Sequence, residues 1–320
     1  MVKKLLIAFS ILLALAACRR GGGGPAGPEY RPFPKTVAPA MVDDTADRLN
    51  YMARNYWKEY FSTPGVTDSA AIASVRTEDV ELAFSTYLAI LDMLPMDEAK
   101  KHIADLFGKV EAKQAEDTTS LFYLRFTELV SKYLYDPNSP VRNEDYYLPF
   151  VEGLAASRFT GEDIRTAYEF EARMCAINQC GQQVSDFTFK DARGRVRNLY
   201  GVKADYTLLF FSNPGCESCQ EIVSALVGFP DLEKWIADGR LAVVNVYIDR
   251  EIDKWREYEP GYPRSWITGY DHNYVIREDI LFNVRAIPSL YLLDSDKRVL
   301  LKDAPTDRTL DMLFNKIRDN

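Results

Sequence analysis

The sequence is poor in the side chains that most often carry chemistry. Two histidines occur in 320 residues, His102 and His272, far apart along the chain. That leaves little material for a histidine-rich metal site or a Ser/His/Asp triad, and no metal centre is expected. Basic residues are outnumbered, 39 Lys and Arg against 47 Asp and Glu, for a formal net charge of -8. Such a chain lacks the electrostatic footprint that a phosphate backbone demands, so nucleic acid is not an expected partner. Beyond the first 17 residues no apolar run approaches the roughly 20 residues that span a bilayer. Cysteines are few as well, five in all, at positions 18, 175, 180, 216 and 219. Hydrophobic residues at 47% and charged residues at 27% give ordinary globular composition, which excludes disorder and collagen for most of the chain. The length suggests two domains.

The N-terminus reads as an address. Lys3 and Lys4 precede the apolar run Leu5 to Leu15, and then comes Leu15-Ala16-Ala17-Cys18. Small residues before a cysteine, directly after such a run, resemble the lipobox of bacterial lipoproteins. The resemblance implies a signal peptide over residues 1–17 and acylation of Cys18, a stable anchor when several chains are attached. Residues 18–40 open on Arg19-Arg20 and four glycines and are expected to be a flexible tether. The remainder would lie outside the cytoplasm, where cysteine pairs can be oxidised. Arg19, rather than an inner-membrane-retaining Asp, follows Cys18, which points to an outer-membrane anchor facing the periplasm.

Two grammars follow. Residues 41–178 read as a helical accessory domain of six helices. Asp43 and Asp44 precede a stripe of Leu49, Met52, Tyr56, Trp57 and Tyr60; Thr77 opens a helix ended by Pro95; Asp97 and Thr119 or Ser120 open two more. Further helices are expected over 143–156 and 160–177, the last with Thr160 and Asp163 as a capping box. From Gly181 the pattern changes to strands alternating with helices. A hairpin over 187–198, buried strands at 206–212 and 241–248, a helix from Cys216, a hairpin about Asp294 to Lys297 and a final helix from Asp307 are expected. The fold class is therefore α plus α/β: a helical bundle followed by an α/β sandwich with a mixed sheet over 181–320. The segment Asp249 to Ile280 reads as an irregular aromatic insertion. Its aromatics are expected chiefly to build a small core of their own, with a groove-lining role as the alternative, and Asp271 and His272 as plain loop residues.

The run Leu208-Leu209-Phe210-Phe211-Ser212-Asn213-Pro214-Gly215-Cys216-Glu217-Ser218-Cys219 resembles the strand and active-site turn of thioredoxin-like proteins. Val284 to Asp294, with Ile287-Pro288 before a strand, resembles the cis-proline loop of that family, and Val184-Ser185-Asp186-Phe187 its extracytoplasmic TlpA/ResA branch. The resemblance implies Cys216 as nucleophile and Cys219 as resolving thiol. It also implies a cis peptide before Pro288, with Ile287 and Pro288 pairing an extended substrate segment. The redox-active pair would serve in place of a cofactor. Physical chemistry supports the assignment. A thiolate at a helix start is stabilised by unpaired backbone N–H groups, and a spacing of three brings the second sulfur within reach. Glu217, next to the nucleophile, should disfavour thiolates relative to the disulfide and so modulate the pair toward reduction of others.

Two departures from thioredoxin stand out. Gly215 replaces the usual Trp, and Phe210 replaces a buried acid; Glu221 is the candidate substitute, though a solvated helix position is the plainer reading. Asn213 stands where a peroxiredoxin has Thr, which weakens a thiol-peroxidase reading. Cys175 and Cys180 are left open between a structural disulfide and two free thiols, with an electron relay to Cys216 as the less favoured alternative. The expected function is thiol–disulfide exchange on protein thiols and disulfides, supplied by a membrane electron donor upstream. The alternative is a non-catalytic lipoprotein that uses the thioredoxin fold as a binding scaffold.

Overall fold

The computed structural model describes residues 30–318, so the expected signal peptide and Cys18 lie outside the described residues. In the N-terminal half, α1 (Thr45–Asn55) and α2 (Lys58–Ser62) replace the single helix that the Leu49–Tyr60 stripe suggests. Asp44 caps α1 by accepting from Asp47 N at 3.0 Å. A two-residue hairpin absent from the sequence reading follows, β1 (Ala71–Ile72) with β2 (Val75–Arg76). Then come α3 (Thr77–Leu91), α4 (Met96–Glu116), α5 (Phe122–Leu134), α6 (Glu144–Ala156) and α7 (Glu162–Cys175). Asn143 caps α6 through Tyr146 N at 3.1 Å. The expected Thr160 capping box does not form. Gly161 is the N-cap, and the Thr160 hydroxyl is instead 2.8 Å from that of Tyr123 inside the core. One apolar cluster holds this half together, with the Trp57, Tyr60, Phe84 and Phe126 rings at its centre.

Part of the expected tether belongs to this core. Arg31 donates from its backbone to Ser74 O and from its guanidinium to Ala73 O and Tyr60 O. Phe33 packs on Tyr56, Trp57 and Tyr60 with ring centroids 5.2–5.7 Å apart. The glycine run ends before this segment, and an aromatic residue within reach of an aromatic cluster gains more from burial than it loses in chain entropy.

The C-terminal half is built on a seven-stranded mixed sheet. Its strands are β3 (Thr188–Lys190), β4 (Val196–Asn198), β5 (Tyr206–Phe211), β6 (Leu241–Tyr247), β7 (Ile267–Tyr270), β8 (Ser289–Asp294) and β9 (Val299–Lys302), in spatial order β4-β3-β7-β6-β5-β8-β9. The helices are α8 (Glu217–Val227), α9 (Leu232–Ala237), α10 (Ile252–Tyr258), α11 (Val275–Glu278) and α12 (Thr306–Arg318). Period-two alternation divides the central strands between two cores. Leu208, Phe210, Val243 and Leu292 face α8, α9 and α12, whereas Leu209, Phe211, Val244 and Tyr291 face the opposite cluster. The expected mixed-sheet sandwich is therefore present.

The Asp249–Ile280 insertion corrects the sequence reading. It contains a strand, β7, which runs parallel to β6 and antiparallel to β3 and so joins the opening hairpin to the sheet. Its signal is weak because Ile267-Thr268-Gly269-Tyr270 is short and includes glycine. Asp271 is no plain loop residue. It is fully buried and accepts from Ile276 N at 2.8 Å, which fixes the start of α11.

Buried charges join the two halves. The Glu144 carboxylate receives Arg285 Nε at 2.6 Å, Asn283 Nδ2 at 2.9 Å and Lys302 Nζ at 2.9 Å. Lys302 also donates to the carbonyls of Cys175 and Ile177, both at 2.7 Å. Arg285 further binds the Tyr135 carbonyl and reaches Asp303 at 3.3 Å, while Arg142 donates to Asp303 O at 2.8 Å. Every ion in this cluster has an opposite charge or several hydrogen bonds, the condition under which charge can be buried.

Candidate active site around Cys216

β5 ends at Phe211, and the chain turns through Ser212 to Gly215 before α8 begins. Gly215 has φ +73°, in the left-handed region that favours glycine. The hydroxyl of Tyr258 lies 3.5 Å from where a Gly215 side chain would begin, so the space beside the turn is taken by the insertion. Cys216 is the N-cap residue of α8. Its Sγ accepts from Cys219 N at 3.1 Å, so it meets the free N–H groups of the first turn. Cys216 and Cys219 form a disulfide with Cα atoms 5.2 Å apart. Cys216 is partly exposed and Cys219 is 2% exposed, which makes the first sulfur the accessible one.

A cleft of about 270 Å³ opens at the pair, lined by Asn213, Cys216, Cys219, Val223, Tyr258 and Tyr262 among others. The aromatic insertion thus divides its labour. Trp255 and Trp266 are buried, as the core reading expects, and Trp255 packs on Tyr270 with centroids 5.0 Å apart. Tyr258 and Tyr262 meanwhile wall the cleft, as the groove reading expects.

Behind the turn lies a polar group that sequence reasoning missed. Ser212 Oγ donates to Asn245 Oδ1 at 2.6 Å and lies 3.1 Å from the Tyr262 hydroxyl. Asn213 Nδ2 donates to Asp249 Oδ2 at 2.8 Å, and Asp249 in turn pairs with Arg277 at 2.8 Å. The available signal was Asn245, a lone amide within Leu241–Tyr247, a strand buried along its whole length. Phe210, where the family has an acid, is fully buried in the apolar cluster that includes Cys219. Glu217 and Glu221 both stand exposed on the first turns of α8.

The Ile287–Pro288 bond is cis. Ile287 packs against the cluster that contains Cys219 and on which Cys216 leans, so the cis-proline loop and the cysteine turn share one support. Two residues earlier, Arg285 ties that loop to Glu144 of the helical half.

Cys175 and Cys180 are both free thiols, so the disulfide alternative is not realised. Cys175 is fully buried in the helical core, and Cys180 Sγ donates to Leu300 O at 3.4 Å. Neither lines the Cys216 cleft. Burial pushes both thiols up, with the Asp145 carboxylate adding to the effect at Cys180, which reaches about 11.

An oxidised cysteine pair at a helix start, a buried strand before it, and a cis-proline loop on the same support define the thioredoxin class. The whole-chain comparison agrees. A thioredoxin-like protein from Bacteroides caccae is 33% identical over 89% of this chain and 99% of its own, with a TM-score of 0.75. The chain belongs to the thioredoxin-like proteins. The C-terminal domain of an uncharacterized protein from Bacteroides fragilis is 39% identical, covering 43% of this chain and 98% of its own at a TM-score of 0.41. A thiol:disulfide interchange protein from Bacteroides sp. is 19% identical over 43% of this chain and 91% of its own, with a TM-score of 0.37. Residues 18–170 match a family described as a domain of unknown function (DUF5106). No curated protein matches the chain. Among the described residues no helix is long and apolar enough to cross a membrane.

Proposed function

We propose that the protein is a thiol–disulfide oxidoreductase that reduces or isomerises protein disulfides through Cys216 and Cys219. The observation that carries the reading is the asymmetry of the pair: an accessible sulfur capping α8 and a buried partner one turn on. In the reduced protein the Cys216 thiolate attacks a substrate disulfide. One substrate sulfur leaves as a thiolate, and the other remains bonded to Cys216. The Cys219 thiolate then attacks Cys216 Sγ, which releases the second substrate sulfur and restores the Cys216–Cys219 disulfide. Two electrons have passed to the substrate, and a dithiol donor must return them. Ile287 and Pro288 would pair the extended substrate segment as an added strand. Glu217, exposed beside the nucleophile, adds negative charge where thiolates form and favours the disulfide in this protein. A reduction potential near the strong-oxidant value of about -120 mV, measured against glutathione, would contradict that role.

Insulin reduction and trapping with Cys219→Ser test the reading together. Turnover by the native chain, none by Cys216→Ser, and a mixed disulfide on Cys219→Ser are expected. Absence of both turnover and trapped partner would leave a thioredoxin scaffold acting by binding alone. We further propose that Cys18 is acylated and tethers the protein outside the cytoplasm, in the outer membrane. The support is the Leu15-Ala16-Ala17-Cys18 motif after its apolar run. Metabolic labelling with palmitate should mark the native chain and not Cys18→Ser.

A further inference from the structure

Next to the cysteine cleft is a second groove of about 530 Å³ whose charge opposes that of the whole chain. Four arginines line it, Arg193, Arg195, Arg197 and Arg264, against two carboxylates, Asp191 and Glu259. Both carboxylates are already engaged. Asp191 is buried and pairs with Arg195 at 2.8 Å and Arg197 at 3.4 Å; Glu259 accepts from the Thr268 hydroxyl at 2.8 Å. Arg193 and Arg264 are exposed and have no ion-pair partner among the described residues.

One wall of the groove is fixed by hydrogen bonds. Asp191 Oδ1 accepts from the backbone N–H groups of Arg193 at 2.9 Å and Arg195 at 3.0 Å, which fixes the β3–β4 turn. The turn carries Arg193 and the chain that leaves it carries Arg195 and Arg197, and all three line the groove. Arg264 comes from the opposite wall, the insertion, between Tyr262 and Trp266. Tyr262 lines this groove and the Cys216 cleft alike, so one ring borders both openings.

We propose that this groove binds an acidic stretch of the same polypeptide whose disulfide reacts at Cys216. The proposal rests on the oxidoreductase reading and assigns its substrate class. Two unpaired guanidiniums in an open groove suit carboxylates, which Arg meets with its planar fork of donors. A polymer that enters at Cys216 and passes Tyr262 arrives there a few residues away from its disulfide. In a chain of net charge -8, a local basic groove also steers acidic substrates to the correct face and away from the remaining surface.

Binding and turnover are measured separately, on the native chain and on Arg193→Ser/Arg264→Ser. Both positions are exposed, so the fold is not at risk. The binding probe is a fluorescein-labelled Glu-rich peptide without cysteine, followed by anisotropy, with a Lys-rich peptide of equal length as control. The acidic peptide should bind the native chain and bind the variant roughly five- to tenfold more weakly, with the difference removed by high salt. A disulfide peptide with Glu-rich flanks should lose the same factor in kcat/KM, while neutral hydroxyethyl disulfide is reduced equally by both chains. Equal binding of the acidic and basic peptides, or equal affinity of the two proteins for the acidic peptide, overturns the proposal. Displacement of the peptide by equimolar inorganic phosphate also overturns it, since the groove would then be a small-anion site. Selective peptide binding without reduction of any disulfide would remove the oxidoreductase reading and leave the basic groove standing as a site for acidic peptide.

Discussion

Chemistry at Cys216 depends on where single atoms lie. Cysteine occupies four positions within the described residues and behaves in three ways. Cys216 sits at a helix start with N–H groups aimed at it; Cys219 is its buried partner; Cys175 and Cys180 are free thiols held back by burial. Because the Cys175 and Cys180 thiols are raised far above neutral pH, they should stay protonated and alkylate slowly in the folded chain. Their rate should rise with pH toward 11 for Cys180. Mass spectrometry after brief iodoacetamide treatment of the reduced protein should find Cys216 modified first. Replacing Cys175 and Cys180 by Ser should leave turnover within about twofold, because neither lines the cleft. A severalfold loss would instead implicate the pair in electron transfer. Tyr262 is the residue whose role sequence could not separate from its neighbours. Four aromatics of the insertion look alike in the sequence, and only their placement divides Trp255 and Trp266, in the core, from Tyr258 and Tyr262, on the cleft.

Among the elements, α6 is where the helical half meets the thioredoxin half. Its first residue, Glu144, is 2% exposed and holds Arg285, Asn283 and Lys302 from three places in the other half. Arg285 precedes Ile287 by two residues, so the helical half braces the cis-proline loop directly. Glu144→Ala would leave Lys302 and Arg285 in the interior without their shared anion, at a cost of about 3–5 kcal/mol. Urea unfolding should register it, and Glu144→Met combined with Lys302→Met should recover part of the loss, because the stranded ammonium is then gone as well. Equal stability of the native chain and Glu144→Ala would mean the network is neutral. A smaller effect belongs to the turn before α8. Gly215→Ala meets only ordinary contact with Tyr258 but must hold φ +73°, so about 1 kcal/mol of destabilisation is expected in the same assay.

For the whole molecule, the interface gives folding a proton dependence. Asp303 is buried, and loss of hydration followed by the nearby Glu144 raises its carboxyl from 3.8 to about 6, although Arg142 and Arg285 pull the other way. An acid whose folded pKa lies above its unfolded value binds more protons when folded. Its stabilising contribution is therefore complete below 3.8 and is lost as the pH rises through about 6. Urea unfolding of the native chain and Asp303→Asn across this window should show the native chain's relative stability falling with rising pH, by up to about 3 kcal/mol. A difference that stays flat with pH would mean the carboxyl titrates normally.

Much of the protein was legible without coordinates, for reasons that are local. A change from helical to strand periodicity near Gly181, an apolar run long enough for a buried strand, and two cysteines three apart after it are properties of neighbouring residues. They specified the mixed-sheet sandwich and the position of the disulfide. Other features depend on residues far apart in the chain, and no local pattern encodes them. The docking of Arg31 and Phe33 beside Tyr60, the pairing of β7 between β3 and β6, and the Glu144 network spanning up to 158 positions to Lys302 were decided by tertiary packing. So was the meeting of Arg193 with Arg264 across a groove. Charge and aromatic content are visible in a sequence, but which charges share a face is settled only when the sheet closes and excludes water from everything else.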